Sequence, residues 1–177
     1  MARMPLVCSR MATVVDQYCY LIDTFDDLGR NSSWLSHFGK VLPRLHVAVI
    51  ALVPSTDRYG PYRFPDDDKR CELYMRLHNI LQTDRTLNNA YGRSRVRQQF
   101  CDRLADDFTD IYFDLRLGLE LLAIDPVKAT NLWLCSFYLH WGQHLLDAEC
   151  HLHAVEAGEE PLHIFGWDWP DTSFGVA

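Results

Sequence analysis

The stretch LWLCSFYLHWGQHLLDAECHL, residues 132–152, carries its polar and apolar side chains at the spacing of an α-helix. At 100° per residue, His140, His144, Asp147 and His151 fall within about 60° of one another. Trp133 and Phe137 continue that stripe toward the N-terminus. Leu134, Tyr138, Trp141, Leu145 and Leu152 cover one flank, and Leu132, Leu139 and Leu146 the other. A helix apolar on both flanks is expected to be buried. Its histidines then need hydrogen-bond partners inside the protein.

The preceding segment offers those partners. Leu104, Phe108, Ile111, Leu115, Leu119 and Leu122 form an apolar stripe, predicting a helix from about Arg97 to Ala123. Asp107, Asp110 and Asp114 lie within about 60° of each other beside that stripe. Asp102 and Asp106 point elsewhere and read as solvated. If the two helices pack antiparallel, these carboxylates face the imidazoles and raise their pKa values. Asp125-Pro126 stops one helix and starts the next, which runs to about Ala157 and ends at Gly158.

Three further helices read out of the periodicity: about Met11 to Phe25, from Ser32 or Ser33 to about Leu52, and about Asp68 to Gln82. Pro43 predicts a kink or break in the second of these. Residues 53–67 and 83–96 read as loops, the latter with room for a short helical turn. The fold expected is all-α: an up-and-down bundle of four to five helices over residues 11–158. Residues 1–10 read as a loose leader. Residues 159–177, with Phe165, Trp167, Trp169 and Phe174, read as an aromatic tail packed on the bundle.

Bulk properties narrow the function. The 177 residues are 48% hydrophobic, enough for a real core. The net charge of -7 argues against nucleic-acid binding, which needs a basic face. No run of 18 or more apolar residues suggests a membrane span, and no signal peptide is apparent. The six cysteines form no C-x-x-C pair and read as buried, reduced side chains. Cytoplasm is the default location.

The His/Asp stripe admits three readings. One is a polar network that fixes helix register. The second is a divalent metal site for zinc, iron or manganese, with His140, His144 and Asp110 as ligands. The third is general acid–base catalysis, which lacks an identifiable nucleophile or phosphate loop. His153 is turned away from the stripe, and His46 and His78 sit singly on their helices.

Leu104-Ala105-Asp106-Asp107, Asp110-Ile111-Tyr112 and Asp114-Leu115 resemble a signature of a bacterial family of uncharacterised helical proteins, domain of unknown function 5063. Trp133, Ser136-Phe137, His140-Trp141-Gly142 and His144 look like its second signature. Leu42-Pro43-Arg44-Leu45 is similar to its N-terminal helix. The resemblance implies a cytosolic helical protein with no assigned activity, and draws attention to Asp106, Trp133 and Trp141 beside the residues above. The leading functional expectation is a non-enzymatic binding or accessory protein, such as an acidic immunity-type protein neutralising a basic toxin. The alternative is a metal-binding protein or metal-dependent enzyme using the His/Asp site.

Overall fold

The computed structural model describes residues 6–25, 34–53 and 67–158. The described residues are helical, with no strand among them. The helices are α1 (Leu6–Asp23), α2 (Trp34–Ile50), α3 (Asp67–Thr83), α4 (Arg85–Tyr91) and α5 (Arg95–Leu122). They continue with α6 (Pro126–Ser136), a π-helical turn (Phe137–Trp141) and α7 (Gly142–Ala157).

The long helix α5 is the centre, with α1, α3, α6 and α7 packed against it. Its apolar stripe explains this: Leu104, Phe108, Ile111 and Leu115 are all fully buried. Phe108 stacks on Phe38 at 4.3 Å between centroids, and Trp34 closes on both rings. Such aromatic pairs add about 0.5–1.5 kcal/mol beyond the area they bury.

Helix ends follow their capping residues. Asp84 accepts from the backbone N–H groups of Thr86 and Leu87 and so starts α4. Ser94 caps α5, and Asp125 caps α6 ahead of Pro126. Gly158 ends α7 in the left-handed region, at φ 69°.

Several expectations are corrected. The first helix begins at Leu6 rather than Met11, because Cys8 and Met11 share its buried face. Residues 6–10 are therefore helix, not a leader; residues 1–5 lie outside the described residues. The helix through Pro43 is unbroken: the proline is exposed while Leu42 and Leu45 beside it are fully buried. Residues 85–91 form a seven-residue helix, more than the short helical turn expected within that loop. The tail, residues 159–177, lies outside the described residues.

The final helical run is not a single α-helix buried on both flanks. A π-helical turn interrupts it, and Tyr138 and Leu139 are each 73% exposed there. Leu146 is exposed as well. The wider turn rotates the following residues relative to a straight α-helix, so the flank carrying Leu139 and Leu146 faces outward. None of the six cysteines is in a disulfide. No helix of the described residues is long and apolar enough to cross a membrane.

Candidate functional site

The helices α5 and α6–α7 run antiparallel. As the α5 residue advances from Asp107 through Asp110 and Asp114 to Leu115, its partners fall from His151 through His144 and His140 to Trp133. This register brings the expected carboxylates and imidazoles together.

Asp107, Asp110 and Asp114 are 5%, 5% and 3% exposed, so their charges need compensation. His140 Nδ1 is 2.7 Å from Asp114 Oδ2, and His144 Nδ1 is 2.9 Å from Asp107 Oδ1. Both contacts use the same ring nitrogen. The opposite nitrogens therefore face Asp110: His144 Nε2 is 3.2 Å and His140 Nε2 4.0 Å from Asp110 Oδ2. The ligand atoms of Asp110, His140 and His144 all lie within 4.8 Å of one another.

Asp110 is also held by Arg70 of α3. Arg70 Nε and Nη2 donate to Asp110 Oδ1 and Oδ2 at 2.5 and 2.8 Å, and Nη2 reaches Asp106 at 2.8 Å. The paired carboxylates, Asp110 foremost, push the guanidinium pKa further up. Among the described residues, Arg70 is the guanidinium that meets these buried carboxylates, through Asp110. Burial opposes a charge on His144, but the Asp107 hydrogen bond and the nearby Asp107, Asp110 and Asp106 charges outweigh it, and its pKa is raised.

The other expected residues sit differently. His151 is buried, with Nδ1 3.5 Å from Asp107 Oδ2. Asp147 meets none of the histidines in a described contact; it accepts from Gln143 Nε2 at 3.0 Å and lines a cleft with His144 and His151. Trp133 and Trp141 belong to the core. Trp133 Nε1 donates to the Leu115 carbonyl, and Trp141 Nε1 to Ser136 Oγ and the Trp133 carbonyl. They lock α6 and the π-helical turn to α5 rather than reaching the cluster.

Asp102 and Asp106, read as solvated, are about half exposed yet ion-paired, to His78 and Arg70. His46 is likewise paired, with Glu149 at 3.3 Å. Arg70 is the residue that sequence reasoning missed. It belongs to a polar helix distant in sequence, and nothing local marks it as the partner of Asp110. The π-helical turn was also missed, although Gly142 is its signal: a Cβ there would lie 2.4 Å from the Phe137 carbonyl oxygen. Such turns recur at functional sites.

A family model described as Domain of unknown function (DUF5063) matches residues 4–158. The crystal structure of protein BF1032 from Bacteroides fragilis is similar, with a TM-score of 0.61 at 19% identity. The match covers 83% of this chain and 90% of that one, and at such identity the likeness is one of fold. No curated protein matches the chain.

Proposed function

The chain belongs to the DUF5063 family, whose function is unknown, and from that footing we propose that it binds one divalent transition-metal ion through His140, His144 and Asp110. The observation that carries the reading is the orientation of the two imidazoles. Each gives Nδ1 to its own buried aspartate and turns Nε2 toward Asp110 Oδ2. That carboxylate–histidine arrangement is how proteins fix the tautomer and aim of a metal ligand.

Distances and charge support it. Ligands about 2.0–2.2 Å from a tetrahedral ion stand roughly 3.3–3.6 Å apart. The separations of 3.2 and 4.0 Å from Asp110 Oδ2 straddle that range. A divalent ion would place positive charge beside the buried carboxylates of Asp107 and Asp110. Mixed imidazole and carboxylate donors suit zinc, iron or manganese. Three protein ligands leave a further position for water or an exchangeable ligand, as in catalytic rather than structural zinc sites. The His140 side chain, 36% exposed, sits where solvent reaches. The reading of an acidic protein with a basic partner draws on the net charge of -7 and the lack of a catalytic motif, and no feature of the cluster favours it.

Calorimetry on untagged, chelator-treated protein tests the proposal. Wild type is expected to bind zinc, manganese or iron(II) at one ion per chain, and His144→Ala to bind none. A stability gain of about 2.7 kcal/mol is expected at a hundredfold excess over Kd. A cluster that serves only as a polar network would give no heat and no thermal shift with any of the three.

A further inference from the structure

Between α1 and α2 runs a groove of about 430 Å³ whose described lining shares no residue with the metal cluster. Val14, Val47, Ala48 and Ala51 give it apolar walls. A second hollow of about 260 Å³, with Leu52, Val53, Pro126 and Val127 in its lining, has Val7 in common with it. Val7, Val47, Val53 and Val127 are 39%, 60%, 78% and 52% exposed. Single exposed valines are ordinary, but four around joined hollows form the kind of patch that marks a docking surface.

The charge of this face defines what it takes. Arg10 of α1 and Arg44 of α2 line the groove, and no carboxylate is among its described lining residues. Lys40 precedes Arg44 by about one turn on the same exposed stripe of α2. The whole of α2 contains no Asp or Glu. In a chain of net charge -7, cations beside exposed apolar side chains set this face apart. An occupant that complements it carries large apolar side chains interleaved with carboxylates.

Residues 159–177 have that composition. They hold Glu159, Glu160, Asp168 and Asp171 among Phe165, Trp167, Trp169 and Phe174, with no Lys or Arg. They follow α7, whose last turn lies against α2: a Cβ on Gly39 would stand 3.2 Å from Glu156 Oε1. From Gly39 to Ala51, α2 rises about 18 Å. The extended chain from Gly158 to Phe165 spans up to about 25 Å, so the aromatic run reaches the groove. Residues 1–5 and 54–66 also adjoin the groove in sequence. The first carry Arg3, and the second balance Arg58 and Arg63 against Asp57 and Asp66, so neither brings net negative charge. We propose that residues 159–177 dock in the α1–α2 groove of their own chain, aromatic side chains on the valines and carboxylates on Arg10 and Arg44. Tethering to α7 holds the segment at an effective concentration on the order of millimolar, so modest contacts suffice. None of these residues is a proposed metal ligand, and the docking stands apart from the metal.

Limited proteolysis of the full chain by chymotrypsin, whose apolar specificity pocket takes aromatic residues, tests the docking, with the cut sites read by mass spectrometry. Cleavage after Phe165 and Trp167 is expected to be at least about tenfold slower in wild type than in Val47→Asp or Arg44→Glu, because a docked segment is cut only when it opens. Both substitutions fall at exposed positions, and circular dichroism checks that the helices remain. Met75→Asp, at an exposed apolar position on α3, is expected to leave the rate at the wild-type value. Equal rates in wild type and both groove variants would overturn the proposal, as would an equal acceleration by Met75→Asp. Protection that grows with protein concentration would assign the groove to the tail of a second copy. A tail cut freely in wild type, with the groove variants speeding cleavage after Tyr59 and Tyr62 instead, would assign it to residues 54–66. Either assignment overturns docking of the chain's own tail.

Discussion

His140 Nδ1 lies 2.7 Å from Asp114 Oδ2, and this contact fixes which ring nitrogen is left to face Asp110. Asp114 is 3% exposed and one helical turn beyond Asp110 on α5. The carboxylate holds the imidazole from behind and raises the basicity of the opposite nitrogen. His144 and Asp107 repeat the arrangement about two turns earlier on α5.

Asp114→Asn keeps a hydrogen-bond acceptor but removes the charge. It is expected to weaken zinc binding by about 10–100-fold, the usual effect of losing such a support. Titration calorimetry beside circular dichroism checks this. Unchanged affinity in a folded variant would show that Asp114 does not tune His140.

The raised pKa of His144 gives a pH dependence in metal-free protein. Its folded value lies above the unfolded value of about 6.5, so the charged form is favoured by folding. The stabilisation is fully present below about pH 6.5 and is lost as pH rises through the folded value. Urea midpoints of wild type relative to His144→Gln are expected to converge across that window. Parallel curves from pH 5 to 9 would show no net preference for the imidazolium. Zinc affinity is expected to run the other way and rise with pH, because metal binding needs neutral imidazole.

Arg70 bridges α3 to α5 by holding Asp110 on two nitrogens. Arg70→Met leaves the buried carboxylate without its guanidinium, and is expected to destabilise by about 1.5–3 kcal/mol, toward the lower end because Arg70 is one-third exposed. Arg70→Lys is expected to restore little, since an ammonium cannot reproduce the two-pronged contact. Denaturant unfolding measures both, and a wild-type midpoint in Arg70→Met would remove Arg70 from the network.

Gly118 sets how closely α6 approaches α5. A Cβ there would lie 1.9 Å from Trp133 Nε1, so the indole must move and loosen its bond to the Leu115 carbonyl. Gly118→Ala is expected to destabilise by about 1–3 kcal/mol despite its better helix propensity. A neutral or raised melting temperature would show that Trp133 can shift freely.

The helical class and the facing of α5 by the histidine helix were legible because both rest on periodicity within single segments. Leu104, Phe108, Ile111 and Leu115 mark the core side, and Asp107, Asp110 and Asp114 follow at the adjoining angle. The antiparallel packing follows from the short Ala123–Asp125 connection. Arg70 was not legible, because its pairing with Asp110 joins helices 40 residues apart and leaves no local pattern. Tyr138 and Leu139 were misplaced because the apolar count suggested burial while one wider turn redirected them. Asp147 shares the angular stripe with His144, yet it lies at the stripe's outer edge, on the cleft wall beside Gln143.

The most direct test of the metal reading is an anomalous difference map from crystals of untagged protein grown with zinc and measured at the zinc edge. One peak is predicted about 2.0–2.2 Å from His140 Nε2, His144 Nε2 and Asp110 Oδ2. A map with no peak there, or with zinc only on other side chains, would contradict it.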